Sequence, residues 1–95
     1  MAPHNPYGPV ALAAAAHAAA AMPNFLLLEH CRLRPWFEQV QALAVPIANG
    51  YIEVDELARR PGLGVELDMD LVGRHPHQPL PPGRHADRDG STHLY

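Results

Sequence analysis

Hydrophobic positions along the chain fall into three blocks with different spacing. Residues 10–22 form a run of small apolar side chains broken by His17. Phe25, Leu26, Leu27 and Leu28 form a second run, bounded by Pro23 and Asn24 before it and Glu29 after it. From Trp36 to Leu67 apolar residues alternate irregularly with polar ones and turn-forming pairs, and beyond Arg74 periodicity disappears. The first block predicts a helix. Pro9 suits the first helical position, where its missing N–H costs nothing, and nine alanines between 11 and 21 give high propensity. Pro23 and Asn24 stop the helix at Ala21 or Met22. The second block has the pattern of a short strand buried on both faces, as in a parallel sheet.

The third block is less regular. Residues 35–43 predict a short helix with Pro35 at its start and Trp36, Val40 and Leu43 on one face. Asn49-Gly50, set between β-forming residues, is a strong hairpin signal. Residues 61–67 read as a turn and a short extended piece. Asp68 then caps a brief helix over 69–72. From Arg74 the chain is rich in Pro, His and Arg and predicts an irregular tail that needs another surface to lie on. No internal repeat is present. Taken alone, the elements make an α+β chain with one long helix, one short helix, a lone central strand and a hairpin. The order helix, turn, buried strand is also the second half of a βαβ unit, whose first strand would precede residue 1.

Composition weakens the expected core. The hydrophobic fraction is 47% of 95 residues, but much of it is alanine, which buries little area. A chain of this length has little stability to spare. The 11 prolines and 7 glycines gather at both ends and around 61–64, where loops are expected. A net charge of −3 gives no basic footprint, which argues against a nucleic-acid partner. One cysteine, Cys31, excludes an intrachain disulfide and fits a reducing cytoplasm. No Lys or Arg precedes the apolar run at 10–22, so a signal peptide is not expected. That run is also shorter than the roughly 20 apolar residues of a membrane span.

Two polar residues frame the first two blocks. His4 lies in the run Pro3-His4-Asn5-Pro6-Tyr7-Gly8-Pro9, and Glu29 ends the run of leucines. On residue type alone His4 is a loop histidine and Glu29 a strand-end carboxylate. His17 reads as packed or solvated. Cys31 and His30 are neighbours whose side chains point to opposite faces of an extended segment, so the thiol reads as inert. His75, His77 and His85 match no standard zinc spacing. Trp36, Phe37 and Tyr51 read as packing residues. The Gly62–Gly64 turn lacks the Lys and long helix of a phosphate loop.

Three blocks together resemble the C-terminal end of the enolase superfamily, in its mandelate racemase subgroup. The nearest likeness is to sugar-acid dehydratases of the D-galactonate dehydratase type. Residues 3–14 (PHNPYGPVALAA) resemble the loop and helix after the seventh barrel strand. Residues 23–29 (PNFLLLE) resemble the eighth strand and its terminal glutamate. Residues 49–54 (NGYIEV) and 61–68 (PGLGVELD) resemble the terminal segment that returns to a capping domain. The resemblance implies an α/β fragment carrying the last helix and last strand of a modified (β/α)7β TIM-type barrel, plus a hairpin and an irregular tail. It divides the chain into residues 1–34, the end of the barrel, and 35–95, the segment returning toward the capping domain. It also implies that the metal ligands, the base and the capping domain lie upstream.

The resemblance further implies Mg²⁺-dependent removal of the proton α to a carboxylate in the intact enzyme, with no cofactor expected for this chain alone. His4 matches the general acid that protonates the departing β-hydroxyl. Glu29 matches the carboxylate that helps hold substrate or intermediate. A histidine, with an unperturbed pKa of about 6.5, suits proton donation near neutral pH. The expected partner is a sugar-acid substrate, with no nucleic acid and no membrane. Two other readings stay open: a racemase or cycloisomerase of the same superfamily, and a stand-alone module that docks on a homologous barrel through its alanine helix and unpaired strand.

Overall fold

The computed structural model describes residues 1–31 and 35–79, with the backbone of 85–86 and 92–93. Helix α1, Pro9–Ala20, is as the sequence predicts to within a residue or two. Gly8 stands at its N-cap in extended conformation and its carbonyl accepts from Leu12 N–H at 3.0 Å. Pro9, Leu12, Ala13, Ala16 and Ala19 form its buried face, spaced three and four apart.

The run of leucines after α1 departs from expectation. Residues 25–28 form no regular strand and are not buried on both faces. Phe25, Leu26 and Leu27 are 41%, 75% and 54% exposed, and Leu28 packs against the core. The backbone nonetheless begins a parallel pairing with residues 1–3. The Met1 ammonium donates to the Asn24 carbonyl, and Leu26 N–H returns a bond to the Met1 carbonyl at 2.9 Å. The next contact slips, with Glu29 N–H on the Pro3 carbonyl at 3.3 Å. Pro3 has no N–H to continue the ladder. A doubly buried strand needs a covered layer on each side, and the described residues supply cover for Leu28 only.

The segment expected to be a helix over 35–43 is instead a set of turns followed by strand β1, Gln41–Leu43. Two helix-like bonds form, from Val40 N–H to the Trp36 carbonyl at 3.1 Å and from Gln41 N–H to the Glu38 carbonyl at 3.4 Å. Gln41 then diverts the chain. Its side-chain amide donates to the Phe37 carbonyl at 3.0 Å and accepts from Val45 N–H at 3.1 Å. Strand β1 pairs antiparallel with a later strand, and tertiary pairing overrides helix propensity.

The expected hairpin forms from β2, Ile47–Ala48, and β3, Tyr51–Ile52, in the register Ile47↔Ile52 and Ala48↔Tyr51. Asn49 and Gly50 take φ of 51° and 81°, the two left-handed positions of a type I′ turn. Helix α2, Val54–Arg59, is not anticipated by the sequence reading, which runs the hairpin's extended strand into it. Its signal is nonetheless present, with Asp55 and Glu56 in the first turn and Arg59 in the last, matching the helix dipole. Strand β4, Glu66–Leu67, pairs with β1. Helix α3, Met69–Gly73, is capped as expected, with the Asp68 carboxylate accepting from Leu71 N–H at 3.0 Å. The tail is irregular over 76–79. It then holds an antiparallel pair, β5 (His85–Ala86) with β6 (Thr92–His93), where no strands were expected.

The core sits where α1 meets α2. Leu12, Ala13, Ala16, Phe37, Val45 and Leu57 are buried together, flanked by Leu28, Ile47, Ile52 and Val65. Leu12 and Leu57 are the largest fully enclosed side chains. The architecture is α+β with two-stranded sheets, and no barrel closes among the described residues. No helix among them is long and apolar enough to cross a membrane.

Candidate functional site

His4 and Glu29, 25 positions apart in sequence, meet at one end of α1. His4 Nε2 lies 3.6 Å from Glu29 Oε2. Both side chains reach solvent, at 74% and 39% exposure, so a ligand has access to them. The loop before α1 carries His4, and the slipped pairing with residues 1–3 carries Glu29. Glu29 N–H bonds to the Pro3 carbonyl, while its carboxylate accepts from Asn5 N–H at 3.0 Å on Oε2. The Tyr7 ring stands edge-on to His4 with centroids 6.5 Å apart.

The second oxygen of Glu29 is also engaged. Cys31 Sγ donates to Oε1 at 3.5 Å. Burial pushes the Cys31 thiol up, and the hydrogen bond and negative charge of Glu29 push it further in the same direction. The thiol therefore stays protonated and weakly nucleophilic near neutral pH. The sequence reading sets Cys31 and His30 on opposite faces, and they do part: Cys31 contacts Glu29, and the His30 ring lies against Phe37 with centroids 5.3 Å apart. Asn5 was also missed. Its part in the site is a backbone N–H, which no residue-type pattern announces.

The other singled-out residues lie apart from this constellation. His17 Nε2 is 3.3 Å from the Leu63 carbonyl. Trp36 stacks on His75, with centroids 5.0 Å apart and 23° between planes. Phe37 is buried as expected, whereas Tyr51, read as a packing residue, is 74% exposed on the hairpin. The side chain of His85 lies outside the described residues. A groove of about 540 Å³ runs between α1, residues 25–28 and the β2–β3 hairpin, with an apolar lining that includes Ala16, Phe25, Leu27 and Ile52.

Residues 1–71 match the family described as enolase C-terminal domain-like. The chain belongs to that family. Across 95 residues it is 40% identical to a D-galactonate dehydratase family member of Streptomyces bingchenggensis, covering 96% of this chain and 22% of the relative. It is 41% identical over 76 residues to a D-xylonate dehydratase of Haloferax volcanii, covering 79% of this chain and 18% of the relative. A D-mannonate dehydratase of Caulobacter vibrioides is 36% identical over 70 residues, with 74% and 17% covered. The chain thus spans about a fifth of the length of the curated relatives it matches. No solved structure matches it significantly.

The donors present do not fit the Mg²⁺ ion that the superfamily resemblance implies. Mg²⁺ takes near-octahedral oxygen ligands, usually more than one carboxylate or phosphate with several waters. Glu29 brings one carboxylate, with Oε2 accepting from Asn5 and Oε1 from Cys31. No three His, Cys, Asp or Glu side chains group as a metal site among the described residues.

Proposed function

We propose that this chain is the C-terminal part of an Mg-dependent acid-sugar dehydratase of the enolase superfamily, supplying two rim residues and inactive by itself. The observation that carries the reading is the 3.6 Å approach of His4 Nε2 to Glu29 Oε2. In this reading residues 1–34 are the end of the barrel and 35–95 the returning segment. The names of the curated relatives, sugar-acid dehydratases, favour dehydration over racemisation or cycloisomerisation.

Loss of water from a sugar acid needs a proton delivered to a poor leaving group. His4, protonated at Nε2, gives that proton to the departing β-hydroxyl and keeps the neutral imidazole. Glu29, 3.6 Å away, orients the His4 ring. No step at the metal is assigned to this chain, because its described donors do not make that ligand set. General acid help contributes roughly 10²–10⁴-fold, against the ~10⁶ or more of an enzyme. His4 and Glu29 alone therefore fall short. The single cysteine favours a cytoplasmic setting.

The reading is tested with the purified chain and a chimera in which it replaces the aligned stretch of the Haloferax D-xylonate dehydratase. The chain alone should dehydrate none of D-galactonate, D-xylonate or D-mannonate, and the chimera should dehydrate D-xylonate. Turnover by the isolated chain, or a folded chimera without activity, counts against it.

A second reading rests on the exposed Phe25, Leu26 and Leu27 beside the apolar groove. The chain would dock through this face on an intact homologous barrel, as expected of a segment that spans a fifth of its relatives. Co-elution with a full-length relative on size-exclusion chromatography supports it, and a monodisperse monomer that does not co-elute opposes it.

A further inference from the structure

The loop before α1 is mostly exposed, and Asn5 is its exception. Within residues 1–8 only Asn5 is buried, at 2% exposure. Its neighbours His4 and Tyr7 both stand in solvent, the latter 62% exposed. Asn5 N–H donates to Glu29 Oε2, the oxygen that faces His4. The one enclosed side chain of the loop thus belongs to the residue whose N–H holds Glu29.

That enclosure is unfavourable by itself. Asn5 Nδ2 is buried and has no hydrogen-bond partner among the described residues. Burying an amide group without a partner is destabilising, so an apolar residue would suit a purely structural plug better. A second link explains why the position of Glu29 can be read from outside. Its other oxygen, Oε1, accepts from Cys31, the chain's single cysteine, and that contact adds to burial in raising the thiol.

We propose that Asn5 is a positioning residue for the His4–Glu29 pair: its buried side chain fixes the backbone N–H that holds Glu29 Oε2 toward His4. This deepens the dehydratase reading and rests on the pairing that it assigns. The test reads geometry and not turnover, so the positioning role and the dehydratase reading fail separately.

The experiment measures the alkylation rate of Cys31 by iodoacetamide against pH in the full 95-residue chain. Glu29→Gln should speed alkylation several-fold near neutral pH, because it removes the charge that adds to burial in keeping the thiol protonated. Asn5→Ala should move the rate the same way by a smaller factor. In the Glu29→Gln background, Asn5→Ala should add nothing, since the group it positions is no longer charged. An unchanged rate in folded Asn5→Ala overturns the proposal, as does an equal acceleration in both backgrounds, which marks general loosening. Should Asn5→Ala fail to fold, Asn5→Ser takes its place in the same cycle with the same criteria. The Asn5 amide proton gives an independent readout by NMR. It should stand downfield in the unaltered chain, where it donates to the Glu29 carboxylate, and move upfield in Glu29→Gln. An amide proton that behaves alike in both overturns the proposal.

Discussion

Gly64 lies against Leu57 more closely than any side chain permits. A Cβ at Gly64 would stand 2.5 Å from the Leu57 carbonyl oxygen and 2.9 Å from its Cδ1. Leu57 is fully enclosed at the centre of the core, so it has little room to withdraw. Gly64 also holds φ of 76°, where a side chain is strained. Gly62 shares the left-handed backbone at φ 63° but has nothing within 4 Å of its Cβ position. Gly62→Ala should therefore cost only the left-handed penalty, about 1–2 kcal/mol. Gly64→Ala should cost clearly more and abolish cooperative unfolding in a chain this small. Urea unfolding of the two variants checks the order, and equal midpoints would refute it.

Arg60 clasps the two halves of the C-terminal segment. Its Nη1 donates to the carbonyls of Ala44 at 2.6 Å and Gly64 at 3.0 Å, while Nη2 pairs with the Glu56 carboxylate. The carbonyl bonds and not the ion pair should carry the stabilisation, because Glu56 is 53% exposed and Arg60 only 18%. Arg60→Ala should lower stability by about 1.5–3 kcal/mol, the range for hydrogen bonds to a charged group. Glu56→Ala should cost under about 1 kcal/mol. Chemical denaturation of both single variants separates the two contributions.

Cys31 gives a pH dependence with a definite sign. Burial, followed by the hydrogen bond and charge of Glu29, raises its thiol above the ordinary value of 9.0. The folded state thus favours the protonated thiol. That contribution is fully present below the unfolded thiol's pKa and is lost as pH rises through the folded one. Thermal stability should decline on the alkaline side of pH 9.0, and Cys31→Ser should decline less. Parallel pH profiles for the two proteins would contradict this.

What was legible in the sequence was whatever local chemistry decides. Pro9 and the alanines define α1, Asn49-Gly50 defines the β2–β3 turn, and Asp68 caps α3. Each signal acts within a few residues of itself. The failures come from long-range context. Phe25, Leu26 and Leu27 carry the pattern of a doubly buried strand, but burial is a property of neighbours and not of the run itself. Gln41, Ala42 and Leu43 have helix propensity, yet they pair with Glu66 and Leu67, more than twenty positions away. At the site, family resemblance singled out His4 and Glu29, and the fold brings them to 3.6 Å. Asn5 and Cys31 escaped because one acts through its backbone and the other through a partner two residues back.

The measurement that bears most directly on the account is the turnover of the Haloferax chimera carrying His4→Asn. If His4 delivers the proton to the leaving hydroxyl, D-xylonate dehydration should fall by roughly 10²–10⁴-fold while the chimera stays folded and binds substrate. Turnover within a few-fold of the unsubstituted chimera would show that His4 is a loop histidine and that the acid lies elsewhere.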